Sequence, residues 1–250
     1  MTPPPVTVSA GLIERTAKAA LVRSGALAEN ARPVARAIAR AEVEGNRVCG
    51  LFYLPIFCEH LRCGKVDGRA EPEVASSDAV TTVDAGHGFA HPAIETGLPY
   101  LAQAARNLGI AALAIRNSYN CLALGHHVTP LAEGGLIGLC VANAPASVAP
   151  PGATRAIFGT NPLAFAVPKA DGTMIVVDQS MSAVTKTEML MRRTRGEPIA
   201  LVDEVEDRAD HQSHPQRARR DRRAKHRAQR RGAVAHGTST VSSATGSASG

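Results

Sequence analysis

The sequence predicts an α/β protein: an N-terminal helical segment followed by helices packed on a mixed sheet of non-Rossmann, α+β type. Three observations carry this. Up to about residue 62 the apolar residues recur at helical spacing; from Ala79 short apolar runs of strand length alternate with helical stretches. From residue 203 to 250 there is no Leu, Ile, Met, Phe or Tyr. Such a stretch cannot bury enough apolar surface to offset its ordering entropy and is expected to be disordered. The expected organisation is therefore a helical segment over 1–75, a mixed-sheet domain over 76–199, and a basic, low-complexity tail over 200–250.

Each element has its own signal. Ser9 is placed to cap a first helix carrying Leu12, Ile13, Ala17, Ala20 and Leu21 on one face, with Gly25 past its end. Asn30 is read as the cap of a second helix that takes Pro33 into its first turn and ends at Glu44. Residues 54–62 read as a third, closed by Gly64. Residues 79–84 read as a strand and 92–108 as a helix ended by Gly109. The apolar run 110–115 is a strand, and 124–132 is a short helix stopped by Gly134 and Gly135. Residues 136–141, 163–167 and 174–177 are further buried-type strands, and 185–195 is helical.

The net charge of +6 misdescribes the folded part. Residues 211–231 hold nine Lys/Arg and one acid, Asp221, whereas the remaining 19 bases meet 21 acids. The basic stretch has no aromatic residue to stack a base, so specific nucleic-acid binding is not expected. Non-specific attraction to polyanions through 217–231 is the most that composition supports. No apolar run approaches membrane-spanning length, and the first residues carry neither the basic nor the apolar region of a signal peptide. Five cysteines at scattered spacings fit reduced thiols in the cytoplasm better than a disulfide framework.

Among the motifs, Asp84-Ala-Gly86-His-Gly88 follows a strand and precedes a helix, where a dinucleotide fingerprint would sit. His91 stands in place of the third glycine, so a tight turn is the better account. Asn117-Ser-Tyr-Asn-Cys121 links a strand to a helix start. There it either offers backbone N–H groups to a phosphate or is simply a polar turn. Gly159-Thr-Asn-Pro162 and Asn143-Ala-Pro145 are polar turns at strand ends. His126 and His127 diverge by about 100° on a helix, and Cys58 and Cys63 lack a second pair, so no metal site is expected. Single histidines such as His60, His87 and His91 read as surface or core residues.

Taken together, Arg116-Asn-Ser, Leu124-Gly, Leu131-Ala-Glu-Gly-Gly-Leu-Ile-Gly, Asn143-Ala-Pro, Phe158-Gly-Thr-Asn-Pro-Leu-Ala and Asp178-Gln-Ser-Met-Ser182 resemble, in order, the non-Rossmann malate/L-lactate dehydrogenase family. The likeness covers about residues 6–197. The run from Gly45 to Pro55 looks most similar to the branch of Δ1-piperideine-2-carboxylate/Δ1-pyrroline-2-carboxylate reductases. The resemblance implies a homodimeric oxidoreductase using NADPH or NADH, with 76–199 as the cofactor domain. Its substrate would be a small cyclic imino acid or 2-oxo acid. It assigns Asn120, Cys121, Leu122, Ala123 and Leu124 to a cofactor loop, Asp178, Gln179 and Ser180 to a second cofactor-contacting stretch, and Thr160 to substrate contact.

The departures from the family carry as much weight. Cys49 stands where many members carry the histidine proposed as proton donor, and Tyr53 stands where an arginine clamps the substrate carboxylate. Asn120 replaces a frequent histidine, and Glu188 falls on an acidic relay position. A thiol of ordinary pKa, about 8.5, is a poor substitute acid. A cyclic imine already protonated at neutral pH needs no such acid, which favours the imine branch. Past residue 199 the likeness is replaced by Arg/Ala/His/Ser/Gly-rich sequence, the expected product of a frameshift in a GC-rich gene. The apolar faces that the missing family segment covers are then expected to be exposed. The rival expectations are a non-catalytic remnant and a weak polyanion binder.

Overall fold

The computed structural model describes residues 7–150, 153–182, 186–196 and 242–245. One compact unit runs to Met181 and takes in the final strand; a second begins at Ser182. The basic stretch 211–231 lies outside the described residues.

Three helices open the chain. α1 (Ala10–Arg23) is capped as its sequence predicts: the Ser9 hydroxyl accepts from the Leu12 N–H at 3.2 Å. α2 (Ala28–Val43) starts earlier than Asn30, behind an extended Leu27. Asn30 is instead buried inside the helix, where its amide donates to the Gly68 and Ala70 carbonyls at 3.0 and 2.9 Å. Its polar group is spent tying α2 to the segment before the sheet, not on capping. α3 (Tyr53–Arg62) follows, ended by Gly64 at φ 73°. Leu21, Val34, Ile38, Phe57 and Leu61 form their common core, which also receives Phe89 and Leu122 from the sheet-bearing part. Packing is therefore continuous across residue 75.

The sheet contains β1 (Glu73–Ser77), β2 (Val80–Asp84), β3 (Ile110–Arg116), β4 (Ile137–Val141), β5 (Leu163–Pro168), β6 (Met174–Gln179) and β7 (Ser242–Thr245), in the order β1-β2-β3-β7-β4-β5-β6. β2 and β3 are parallel and all other pairs antiparallel. This is the mixed, non-Rossmann arrangement that the sequence predicts. β1 gives no apolar signal because its residues are mostly exposed, and pattern reading passes over it.

The tail also departs from expectation. Within the range read as disordered, Ser242–Thr245 lies between β3 and β4 as a backbone-paired strand. Ladder hydrogen bonds are made by the main chain, so a low-complexity Ser-Ser-Ala-Thr run can fill a strand-wide slot without an apolar pattern.

One face of the sheet is covered by α4 (Ala90–Leu108) and α5 (Gly125–Glu133). Gly97 lets α4 approach Val83 and Leu113, and Gly138 lets β4 approach Val128 and Leu131. α6 (Lys186–Arg195) belongs to the second unit. Among the described residues no helix is long and apolar enough to cross a membrane.

Candidate active site

The loop between β3 and α5 is shaped by residues that tolerate left-handed backbone. Asn117 sits at φ 51° and donates its amide to the Asp84 carboxylate. The Asn120 carbonyl oxygen accepts from the Leu122 N–H at 2.8 Å, closing an Asx turn that holds Leu122 at φ 54°. The side chains of Leu122, Ala123 and Leu124 are buried in the core. Ser118, Asn120, Cys121 and Leu124 of this loop line a cavity of about 180 Å³.

The N-terminus of α5 already holds an anion. Asp178, from β6, accepts from the Gly125 N–H at 2.8 Å, 53 residues away in sequence. A carboxylate thus occupies the position at which the positive end of a helix would receive a phosphate. The 117–121 segment includes the Asx turn of Asn120, and at the helix end the Gly125 N–H is already taken by Asp178. Burial raises the Asp178 pKa, although the hydrogen bond from Gly125 acts against that rise.

Cys49, Cys121 and Asp178 are close enough to feel one another's charge. Burial, reinforced by Asp178, pushes the Cys49 thiol up to about 11. Burial, reinforced by Cys140, pushes Cys121 up to about 12. Both thiols therefore stay protonated near neutrality, and neither is a ready nucleophile. Iodoacetamide at pH 8 is expected to alkylate the exposed Cys63 first. Cys49, whose thiol burial holds up at about 11, should react far more slowly. Peptide mass spectrometry over time would show this, and equal rates would contradict the enclosed geometry.

The remaining expected residues fall in three places. Thr160 adjoins the second stretch: its carbonyl accepts from the Met181 N–H at 2.9 Å and from the Ser180 hydroxyl at 3.2 Å. Gln179 ends β6 opposite Leu163. Tyr53 starts α3 with its ring 5.3 Å from Phe57, at the edge of an aromatic cluster that includes Phe89 and Tyr119. Glu188 lies on α6, and its side chain is outside the described residues.

Sequence reading missed the partners of the α5 histidines. The two rings diverge as helical geometry requires. His126 meets Glu44, 82 residues away, at 2.8 Å, and Arg40 holds the same carboxylate at 2.7 Å. Burial works against the Glu44 charge, but the hydrogen bonds from His126 and Arg40 outweigh it and keep the carboxyl below its ordinary range. His127 reaches the Cys121 carbonyl at 2.8 Å and packs edge-on against His91, with ring centroids 5.3 Å apart. No local pattern announces either pairing.

Residues 8–233 match the malate/L-lactate dehydrogenase family. Over 196 residues the chain is 39% identical to a Δ1-pyrroline-2-carboxylate reductase of Ancylobacter novellus, covering 78% of this chain and 58% of that protein. Over 186 residues it is 39% identical to a (2R)-3-sulfolactate dehydrogenase (NADP(+)) of Chromohalobacter salexigens, covering 74% and 56%. The crystal structure of a Δ1-piperideine-2-carboxylate reductase from Pseudomonas syringae superposes with a TM-score of 0.74 at 36% identity, over 78% of this chain and 59% of that one. The chain thus spans somewhat more than half the length of these relatives.

Proposed function

The chain belongs to the malate/L-lactate dehydrogenase family, and from that membership we propose that it derives from an NAD(P)H-dependent reductase of a small cyclic imino acid of the Δ1-pyrroline-2-carboxylate type, or of a 2-oxo acid. The observation that carries this reading is the 2.8 Å bond from the Gly125 N–H to Asp178. It joins Asp178 of the stretch 178–180 to the residue directly after the stretch 120–124, and family likeness assigns both stretches to the cofactor. Bound there, the nicotinamide would supply hydride to the C=N or C=O carbon. The loop main chain with Asn120 and Cys121 would line the cofactor on one side, and Gln179 and Ser180 on the other, with Thr160 next to them on the substrate side. The N-terminus of α5, filled by Asp178, would not take a phosphate. Homodimerisation and a cytoplasmic setting go with this reading; the five free cysteines support the second.

The raised Cys49 pKa favours the imine over the ketone. A ketone needs a proton as hydride arrives, and a thiol at about 11 is a weak donor near neutrality. A protonated imine brings its own proton. NADPH titration followed by nicotinamide fluorescence should show saturable binding, and Δ1-pyrroline-2-carboxylate should turn over faster than pyruvate. Cys49→Ala should change that turnover by less than about threefold, whereas loss of a true general acid costs about 10²-fold or more. Faster turnover of pyruvate would end the imine reading. Saturable NADPH binding without turnover would favour the non-catalytic remnant.

A further inference from the structure

The last turn of α2 holds two parts of the site at once. Gly45, at φ 76°, closes the helix: its N–H donates to the Glu42 carbonyl at 3.1 Å, and the Asn46 N–H donates to the Ala41 carbonyl at 2.8 Å. These two bonds make a Schellman motif, which fixes the direction in which the chain leaves a helix. It leads directly into a 3₁₀ turn, Arg47–Cys49. The Glu42 carboxylate accepts from the Leu51 N–H at 2.7 Å. The stretch that carries Cys49 is thus tied back to the helix end it came from.

The same turn grips the start of α5. His126 Nε2 lies 2.8 Å from the Glu44 carboxylate. The His126 side chain is 7% exposed, and its other ring nitrogen, Nδ1, is enclosed with no hydrogen-bond partner among the described residues. Glu44 is therefore the polar anchor of the ring. A second arm runs beside it. Arg40, which bonds Glu44 at 2.7 Å, also donates to the Thr129 hydroxyl at 3.3 Å, and that hydroxyl donates to the Gly125 carbonyl at 2.6 Å. Gly125 is the residue whose N–H is taken by Asp178. The peptide directly after the 120–124 loop is thus held from two sides, by β6 through its N–H and by α2 through its carbonyl and the adjoining imidazole. Reacting groups need placement to a fraction of an ångström, and supporting networks of this kind supply it.

We propose that Glu44 and His126 are positioning residues: by joining the end of α2 to the start of α5 they set the attitude of the 120–124 loop toward the stretch that carries Cys49. The inference rests on the reductase reading for its purpose and on the α2–α5 contact for its geometry, and the test separates the two. Cys121 lies on the loop and reports its attitude; Cys58, buried among the opening helices, reports the fold as a whole. In the full 250-residue chain, Glu44→Ala alters a side chain that is 43% exposed. It should speed alkylation of Cys121 by iodoacetamide about tenfold or more and leave Cys58 at its parent rate, as a local opening does. His126→Gln keeps an N–H for Glu44 and should stay close to the parent. His126→Ala should match Glu44→Ala, and the double variant should be no faster than either, because both remove one contact. NADPH should bind Glu44→Ala about tenfold more weakly than the parent. A parent chain without saturable NADPH binding would end the reductase reading and leave the thiol rates to decide this one. An unchanged Cys121 rate in Glu44→Ala, an equal rise at Cys58, or single effects that multiply in the double variant would each overturn the proposal. So would NADPH binding to the parent and to Glu44→Ala with equal affinity.

Discussion

Asp178→Ala is expected to lower stability by about 2–3 kcal/mol and to turn the start of α5 into a phosphate-responsive site. The carboxylate satisfies the Gly125 N–H at 2.8 Å. Losing a helix cap costs about 0.5–2 kcal/mol, and a buried donor left unsatisfied costs about 1–3 more. Against this, the ionised carboxylate is disfavoured by burial, which is why its pKa is raised. A raised carboxyl pKa gives stability that is present at low pH and lost as pH rises through the folded pKa, so removing the group also recovers something at neutral pH. The cap and the satisfied donor outweigh that recovery, because the hydrogen bond remains in place despite the desolvation. Asp178→Asn keeps an acceptor oxygen and should lose less, roughly 1 kcal/mol. The vacated helix end should then respond to added inorganic phosphate: the melting temperature of Asp178→Ala should rise with phosphate at constant ionic strength, and that of the parent chain should not. A parent chain stabilised equally by phosphate would show that the carboxylate does not fill the helix terminus.

Asp178 illustrates what sequence can and cannot deliver in this fold. The α1 cap is legible because Ser9 and its first turn are adjacent. The strands β3 to β6 are legible because apolar runs of their length have few other uses. The Asp178 contact spans 53 residues, so only family likeness puts that residue in the same site as the loop. The Glu44–His126 pair, 82 residues apart, has no such help. Asn30 misleads because its residue type favours caps, while the fold uses its two amide hydrogens across a tertiary contact. β7 is illegible because a centre strand held only by ladder hydrogen bonds requires nothing of its side chains. Cys49 and Tyr53 stand out as departures from a pattern, but the rise in the Cys49 pKa comes from burial and from Asp178, and neither is written locally.

Acid should destabilise this protein as pH falls below the ordinary histidine range, and the responsible groups are His91 and His127. His127 is enclosed, its ring donating to the Cys121 carbonyl. Burial lowers its pKa to about 4, opposed by that carbonyl and helped by the neighbouring His126 and Arg40. Burial also drives His91 well below its ordinary value, with His127 and His126 adding to the effect. A histidine with a depressed folded pKa takes up its proton only on unfolding, so stability is full above the unfolded pKa near 6.5 and falls as pH drops below it. From 6.5 to about 4 the His127 contribution alone amounts to about 3 kcal/mol, at about 1.36 kcal/mol per unit. Asp178, whose carboxyl burial holds above its ordinary value, acts in the opposite sense and offsets part of this fall. Urea unfolding midpoints between about pH 7.5 and 4.5 should therefore fall steeply. His91→Leu should raise the whole curve, because it removes two buried nitrogens without partners. It should also flatten the acid limb, because one of the two reluctant proton acceptors is gone. Parallel curves for the parent and His91→Leu would mean that His91 is protonated or hydrated in the folded state, and the enclosed pair of imidazoles would have to be given up.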